Sequence, residues 1–305
     1  MALIITSNIN SMDVQRNLAH TTNGLAKTFQ RLASGMRINT AADDAAGLAI
    51  STRMTAQVNG LTQAVRNAND GISMVQVAEG ALQESVNALQ RIRELAVQSA
   101  NGTMTAGDRK DLQLEVNQLL TEIQRIASDT QFNGFSMLTG NFLAAPRMVI
   151  QVGAREGQAI SFSINDMRLS ALGEGLAKTS MWSMDAAGAS TRLLEADGVT
   201  PQYAYPAMIG TQSAAAATIT KIDTVLDRVS RQRSQLGAIQ NRFTAVIANL
   251  NNVVENMSAA RSRIMDADIA AETASLTQKT ILQQAGTAVL AQANQQPKLA
   301  LQLLS

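Results

Sequence analysis

Apolar and small residues recur at Ile222, Val225, Val229, Leu236, Ile239, Phe243, Val246, Leu250, Val253, Met257, Ala260 and Ile264, alternating steps of three and four apart from a seven-residue step over Gln232. A 3-4 alternation keeps one face of a helix toward a helical partner, so the spacing predicts a heptad seam. No proline interrupts the chain from Gln212 to Gln296. The whole stretch therefore reads as one long helix, whose seam weakens to Ala267, Ala271 and Ala274 before Leu282, Val289 and Leu290. At about 1.5 Å per residue, such a helix needs a partner of comparable length.

A matching pattern stands earlier in the chain. Met54, Val58, Leu61, Val65, Ala68, Ile72 and Val75 step by four and three, and Leu82, Val86 and Leu89 resume the frame, with Glu79 on the seam. This predicts a helix from Ala45 to about Ser99, the partner of the first. The expected seam within the subunit is Val58, Leu61, Val65, Ile72 and Val75 against Leu236, Ile239, Phe243, Val246, Leu250, Val253 and Met257. Asn101-Gly102 breaks the second helix. A third, starting at Asp108, carries Leu112, Val116, Leu119, Ile123 and Ile126, and its short connection makes it an antiparallel neighbour. Gln131-Phe132-Asn133-Gly134-Phe135 supplies the turn that stops it.

The period then changes to two. Met148, Ile150 and Val152 alternate with Val149 and Gln151, and Ile160, Phe162 and Ile164 alternate with Ser161 and Ser163, predicting a β-hairpin. Residues 170–208 show no period and contain Trp182, the only tryptophan; they read as an exposed, variable excursion. The two ends are thin by comparison. Residues 5–33 form a weak helical pattern with Ile5, Ile9, Met12, Leu18, Leu25, Phe29 and Leu32, and polar residues such as Gln15 and Thr22 at expected seam positions. A chain folded back on itself would bring the two thin ends together. The fold class is mainly α: antiparallel helices in a coiled-coil-like rod, paired terminal helices and a small β-hairpin region in the middle.

Composition narrows the chemistry. Aromatics are 3% of 305 residues, cysteine is absent, His20 is the single histidine and net charge is +1. Without thiols, and with one histidine outside any HExxH spacing, no catalytic or metal site and no cofactor are expected. His20 reads as a surface residue. Asp43 and Asp44 read as the cap and first-turn acid of the second helix, and Asp266 and Asp268 as salt-bridging partners of Arg261 and Arg263 on a continuous helix. The near-neutral charge implies no bulk attraction to nucleic acid or anionic membrane. No stretch is long and apolar enough to span a bilayer, and the start MALIITSNINSMDV lacks a basic n-region, so any export is expected to proceed without a cleaved general-secretion signal.

Longer motifs add a resemblance. LASGMRINTAADDAAGLAIS (32–51), NDGISMVQVAEGAL (69–82), QRIRELAVQSANGT (90–103) and TQFNG (130–134) resemble the N-terminal part of bacterial flagellin. LGAIQNR (236–242), ENMSAARSRIMDADIAAETASLT (255–277) and ILQQAGTAVLAQANQQP (281–297) resemble its C-terminal part. The resemblance implies a subunit that polymerises into the flagellar filament, in a short form lacking large outer domains. It implies an inner coiled-coil domain of 1–43 with 266–305 and a helical rod of 44–265 bearing the hairpin.

Ile9, Leu18, Leu25, Leu32, Leu282, Val289, Leu301, Leu303 and Leu304 are the expected assembly residues of the ends. These ends are expected to order only when neighbouring subunits supply the missing faces. Further implied partners are the flagellar cap and hook-junction proteins, the export chaperone, and Toll-like receptor 5, whose contacts in the family fall on Arg91, Leu95 and Glu115. Location is implied to be the extracellular flagellum, by way of the flagellar type III route. Two other readings are a hook–filament junction protein and a secreted helical membrane-interacting translocator; the latter needs a continuous apolar face of bilayer length.

Overall fold

The computed structural model describes residues 8–140, 147–172, 183–184, 190–191 and 209–302, with the side chains of 183–184, 190–191 and 296–302 outside the description. Helix α1 spans Ile9–Ser34, α2 Ala45–Ser99 and α3 Ala106–Asp129. Strands β1 (Gln131–Phe132), β2 (Phe135–Ser136), β3 (Met148–Gln151) and β4 (Ala159–Phe162) follow, then the short α4 (Leu169–Leu172). Strands β5 (Ser183–Met184) and β6 (Ser190–Thr191) precede α5 (Gln212–Met265) and α6 (Ile269–Gln302). The chain is mainly α, with its terminal helices paired. It forms two compact units, residues 1–60 with 252–305 and residues 61–251.

In the 61–251 unit the core is assembled from α2, α3, α5 and the hairpin. Its buried line on α2 runs Leu61, Ala64, Ala68, Val75, Ala78, Leu82, Val86, Leu89, Ile92, Leu95 and Ala96. Of the expected seam on α2 and α5, Leu61, Val75, Leu236, Phe243 and Leu250 are buried, while Val65, Ile72, Ile239 and Val246 are half-buried. Gly71 makes room on α2 for the Phe243 ring; a Cβ on Gly71 would lie 3.0 Å from Phe243 Cζ. Phe243 also meets Phe162 of β4 edge-on, with centroids 6.3 Å apart at 87°. Alternating strand and long helix thus share one aromatic contact.

Gln232 fills the seven-residue step in the α5 seam. It is 2% exposed; its Oε1 accepts from Asn165 N at 3.3 Å and its Nε2 donates to Ser163 O at 3.4 Å. A polar side chain at a seam position is tolerated because it is bonded to the backbone just beyond β4. Glu79, on the α2 seam, accepts from Gln240 Nε2 at 2.9 Å and lies 3.8 Å from Arg233.

The β3–β4 hairpin pairs Met148 with Phe162 and Ile150 with Ile160, as the period-two pattern predicts. The turn after α3 is itself a second hairpin, with Gln131 opposite Ser136 and Phe132 opposite Phe135. Asn133 and Gly134 take φ of 49° and 80°, the left-handed pair that a two-residue hairpin turn requires. Helix α3 starts two residues before the expected Asp108. Thr105 Oγ1 accepts from Asp108 N, and Asp108 accepts from Thr105 N at 2.8 Å, so Asp108 is the third residue of a capping box.

The single helix expected from Gln212 to Gln296 is two. Helix α5 stops at Met265 and α6 begins at Ile269, then continues past Pro297 to Gln302. Most of the excursion at 170–208, including Trp182, lies outside the described residues.

Candidate assembly and recognition surfaces

Helices α1 and α6 run antiparallel in the 1–60 and 252–305 unit and pack backbone close to backbone. Close approach needs small or flexible side chains at the contact, and the sequence supplies them. The inward line of α1 is Ser11, Val14, Leu18, Thr21, Leu25, Thr28 and Leu32, in steps of three and four; Ser11 and Thr28 are the buried members. On α6, Glu272, Lys279, Gly286 and Ala293 stand at intervals of seven, with the half-buried Leu276 and Leu290 beside them.

Each of those four residues meets something different. Glu272 faces Arg31, with Nη1 to Oε1 at 4.0 Å. The Lys279 ammonium donates to Thr28 Oγ1 at 2.7 Å and to Gly24 O at 3.3 Å. A Cβ on Gly286 would lie 3.3 Å from Leu18 Cδ1. Asn8 Nδ2 donates to Ala293 O at 2.9 Å, and next to it Ser11 Oγ donates to Asn294 Oδ1 at 2.7 Å. Asn8 also caps α1, its Oδ1 accepting from Ser11 N.

The inside of this pair therefore mixes polar residues with half-buried leucines, and its most exposed apolar residues lie off that line. Among the expected assembly residues, Leu18, Leu25 and Leu32 are half-buried on the line toward α6. Ile9, Leu282 and Val289 are 56%, 51% and 51% exposed, joined off the line by Met12, Phe29 and Ile281. The side chain of Leu301, and Leu303 and Leu304, lie outside the described residues. Hydrophobic periodicity did not find the inner line of α6 because its heptad positions carry an acid, a base, a glycine and an alanine.

The α5–α6 junction is clipped to the α1–α2 loop. Gly35 takes φ 69° at the end of α1, and its carbonyl accepts from Ala267 N at 2.9 Å. Arg37 N donates to Met265 O at 2.6 Å, and Arg37 Nη2 to Ile264 O at 2.8 Å, satisfying carbonyls that the helix end leaves open. Asp268 caps α6, its Oδ1 accepting from Ala270 N and Ala271 N, which corrects its reading as a salt-bridging residue within a helix. Asp44 caps α2 through Gly47 N at 2.9 Å.

Asp43 does something other than cap. It accepts from Asn39 N and Thr40 N and lies 2.6 Å from Lys27 Nζ, and these contacts, Lys27 first, hold its carboxyl well below the usual range. In the same unit Val58, Val253 and Met257 are half-buried, and Arg261 Nη1 reaches Thr55 Oγ1 at 3.3 Å.

On the 61–251 unit, Arg91 and Glu115 meet across α2 and α3, Nε to Oε1 at 2.8 Å, and Arg91 Nη1 donates to Glu94 at 3.1 Å. Glu115, then Glu94, raises the Arg91 pKa. Both members of the pair are about half exposed. Leu95 is not: at 1% exposure it lies in the core beneath them, so it supports this surface without offering contact area. Arg93, two residues from Arg91, pairs with Asp223 of α5 at 2.7 Å, a tie that no motif announced. His20 is exposed on α1. Among the described residues no group of three or more His, Asp or Glu is placed to hold a metal ion, and no helix is long and apolar enough to cross a membrane.

Comparison with known proteins bears on both regions. The N-terminal helical region of bacterial flagellin matches residues 5–142, and its C-terminal helical region matches residues 219–304. A flagellin from Halalkalibacterium halodurans is 43% identical over 302 residues, covering 99% of this chain and 100% of that protein. Flagellin FlaB2 of Treponema pallidum is 42% identical over 309 residues, and the flagellar filament 33 kDa core protein of Treponema phagedenis 42% over 310, each covering 99% of this chain and 100% of the relative. With both helical regions matched and relatives aligned end to end, the chain belongs to the bacterial flagellin family, the structural subunits of the extracellular flagellar filament.

Proposed function

We propose that this subunit builds its filament through the terminal helices, with 1–43 and 266–305 as the inner layer and 44–265 as the outer one, and that the inner layer orders only on assembly. The observation that carries this is the outward placement of Ile9, Met12, Phe29, Ile281, Leu282 and Val289 on a pair that buries little apolar surface of its own. Helices of 26 and 34 residues cost about 1–2 kcal/mol of backbone entropy per residue to order. Among the described residues of the pair only Ser11, Thr28 and Ala293 are fully buried, with Val14, Leu18, Leu25, Leu32, Leu276 and Leu290 half-buried, too little apolar surface to offset that cost. Neighbouring copies covering the exposed residues, at about 1.5–3 kcal/mol for each large side chain fully buried, would supply the difference.

Sedimentation and electron microscopy of Leu282→Asn and Val289→Asn test this. Loss of filaments with unchanged unfolding of the 61–251 unit is expected; wild-type yields of filament would sink the reading. The same reading has the chain exported unfolded through the flagellar type III channel, its C-terminal segment held beforehand by the export chaperone, with the cap and hook-junction proteins as its neighbours at the filament ends.

A second reading rests on the Arg91–Glu115 pair. An exposed charge pair bridging two helices above a packed Leu95 is a rigid, preorganised patch. We propose that Toll-like receptor 5 reads it on the free subunit. Reporter-cell activation by purified monomer, compared with Arg91→Ala, tests that assignment.

A further inference from the structure

The apolar part of the terminal pair cannot fix how its helices align. Leu18, Leu25 and Leu32 recur at intervals of seven on α1, so sliding α6 by one heptad leaves leucine where leucine was. Yet one alignment is present, in which residue numbers facing each other sum to a nearly constant value from Asn8 opposite Ala293 to Arg31 opposite Glu272. We infer that Glu272, Lys279, Gly286 and Ala293 form a register address, four unlike residues at one heptad position, each matched to a different feature of α1. Lys279 is its central member. The inference rests on the proposed pairing of the termini in the assembled subunit.

Sliding one way sets Lys279 against Arg31, like charge on like charge, and moves Glu272 beyond the end of α1. Sliding the other way puts Asn17 in the place of Gly24 beneath the Lys279 stem, a side chain where the observed register has none, and sets Glu272 against the Gly24 carbonyl, acceptor facing acceptor. One displaced state sets like charges together and the other leaves the Glu272 carboxylate facing an acceptor, and each is costly. In the observed register the Lys279 stem crosses Gly24, where a Cβ would lie 3.4 Å from Cε, and its ammonium reaches the buried Thr28 hydroxyl. A single polar residue at a core position is known to set alignment in coiled coils at some cost in stability. Here four unlike positions do so along the whole pair.

The chain has no cysteine, so introduced pairs report alignment without background. Ser11→Cys with Asn294→Cys reads the observed register, since the native side chains touch. Ser11→Cys with Thr287→Cys, and Leu18→Cys with Asn294→Cys, read the two displaced ones. Full-length protein is oxidised under assembly conditions, sedimented or not, and intramolecular cross-links are measured on a non-reducing gel after depolymerisation.

The wild-type background should favour the observed pair by at least about tenfold, and Lys279→Met and Thr28→Val should each lower that preference severalfold. Unchanged preference in both variants, or equal cross-linking of all three pairs in the wild-type background, would overturn the address. Cross-linking no stronger than in denaturant would overturn the pairing of the termini itself, a result distinct from loss of register alone.

Discussion

Phe243 of α5 brings the tip of its ring against Gly71 of α2, so near that a methyl group there would come within 3.0 Å of its Cζ. The ring is fully buried and is met edge-on by Phe162, so it has little room to retreat. Gly71→Ala gains up to about 1 kcal/mol in helix propensity and costs about 1–3 kcal/mol by overpacking. Net destabilisation is expected. In Gly71→Ala/Phe243→Leu the clash is gone, and the double-mutant cycle should show favourable coupling of about 1 kcal/mol or more. Chemical denaturation of the four proteins checks this; additive effects would mean that the ring yields.

Gln232→Leu restores the heptad on α5 and should leave global stability within about 1 kcal/mol of wild type, because apolar burial offsets two lost hydrogen bonds. Its partners Asn165 and Ser163 are exposed and can turn to water. The local effect should be larger than the global one. Amide exchange at Asn165 should quicken, since its N–H loses the Gln232 acceptor. Unchanged exchange at Asn165 would remove the side chain's role in anchoring the end of β4.

That pair of residues also shows what the sequence could and could not reveal. The step over Gln232 was visible as a gap in a heptad, but the strand that fills it is distant in sequence, so only tertiary structure could say why a glutamine stands there. Helices α2 and α5 were legible because bulky residues recur on their buried faces. The break at Met265 was not, since it has neither proline nor glycine; it is imposed by the backbone of Gly35 and Arg37 from the other end of the chain. The Asn133-Gly134 hairpin did carry its signal, a dipeptide suited to left-handed φ, read too coarsely as a stop. Arg91 and Glu115 were singled out by family motifs as receptor contacts, but their pairing across α2 and α3 and the burial of Leu95 appear only in the packed structure.

Asp43 gives a dependence on pH with a definite sign. Its folded pKa is depressed by Lys27 and by the Asn39 and Thr40 N–H groups. Its contribution to stability is therefore complete above the unfolded pKa of about 3.9 and is lost as pH falls toward the lower folded value. Filaments of Asp43→Asn should dissociate at lower temperature than wild type at neutral pH. The gap should close progressively below about pH 3.9. A gap that stays constant across the acid range would show that the Asp43 carboxylate is not the group responsible.

If the receptor reading is right, Arg91→Ala removes a charge-assisted contact and should weaken activation by an amount equivalent to about 1–3 kcal/mol. Exposed ion pairs contribute about 0–1 kcal/mol to stability, so the fold of the variant should be little changed. Arg93→Ala breaks the neighbouring Asp223 pair and serves as the control, with smaller loss expected. Equal activity of Arg91→Ala and wild type would remove Arg91 from the recognition surface.

The most direct test of the central claim is amide hydrogen exchange of the same protein as free subunit and as filament. Residues 9–30 and 275–295 should exchange nearly as fast as an unfolded chain in the subunit and become strongly protected in the filament, while the buried stretches of α2 and α5 in the 61–251 unit are protected in both. Strong protection of both terminal stretches in the free subunit would contradict an inner layer that orders on assembly.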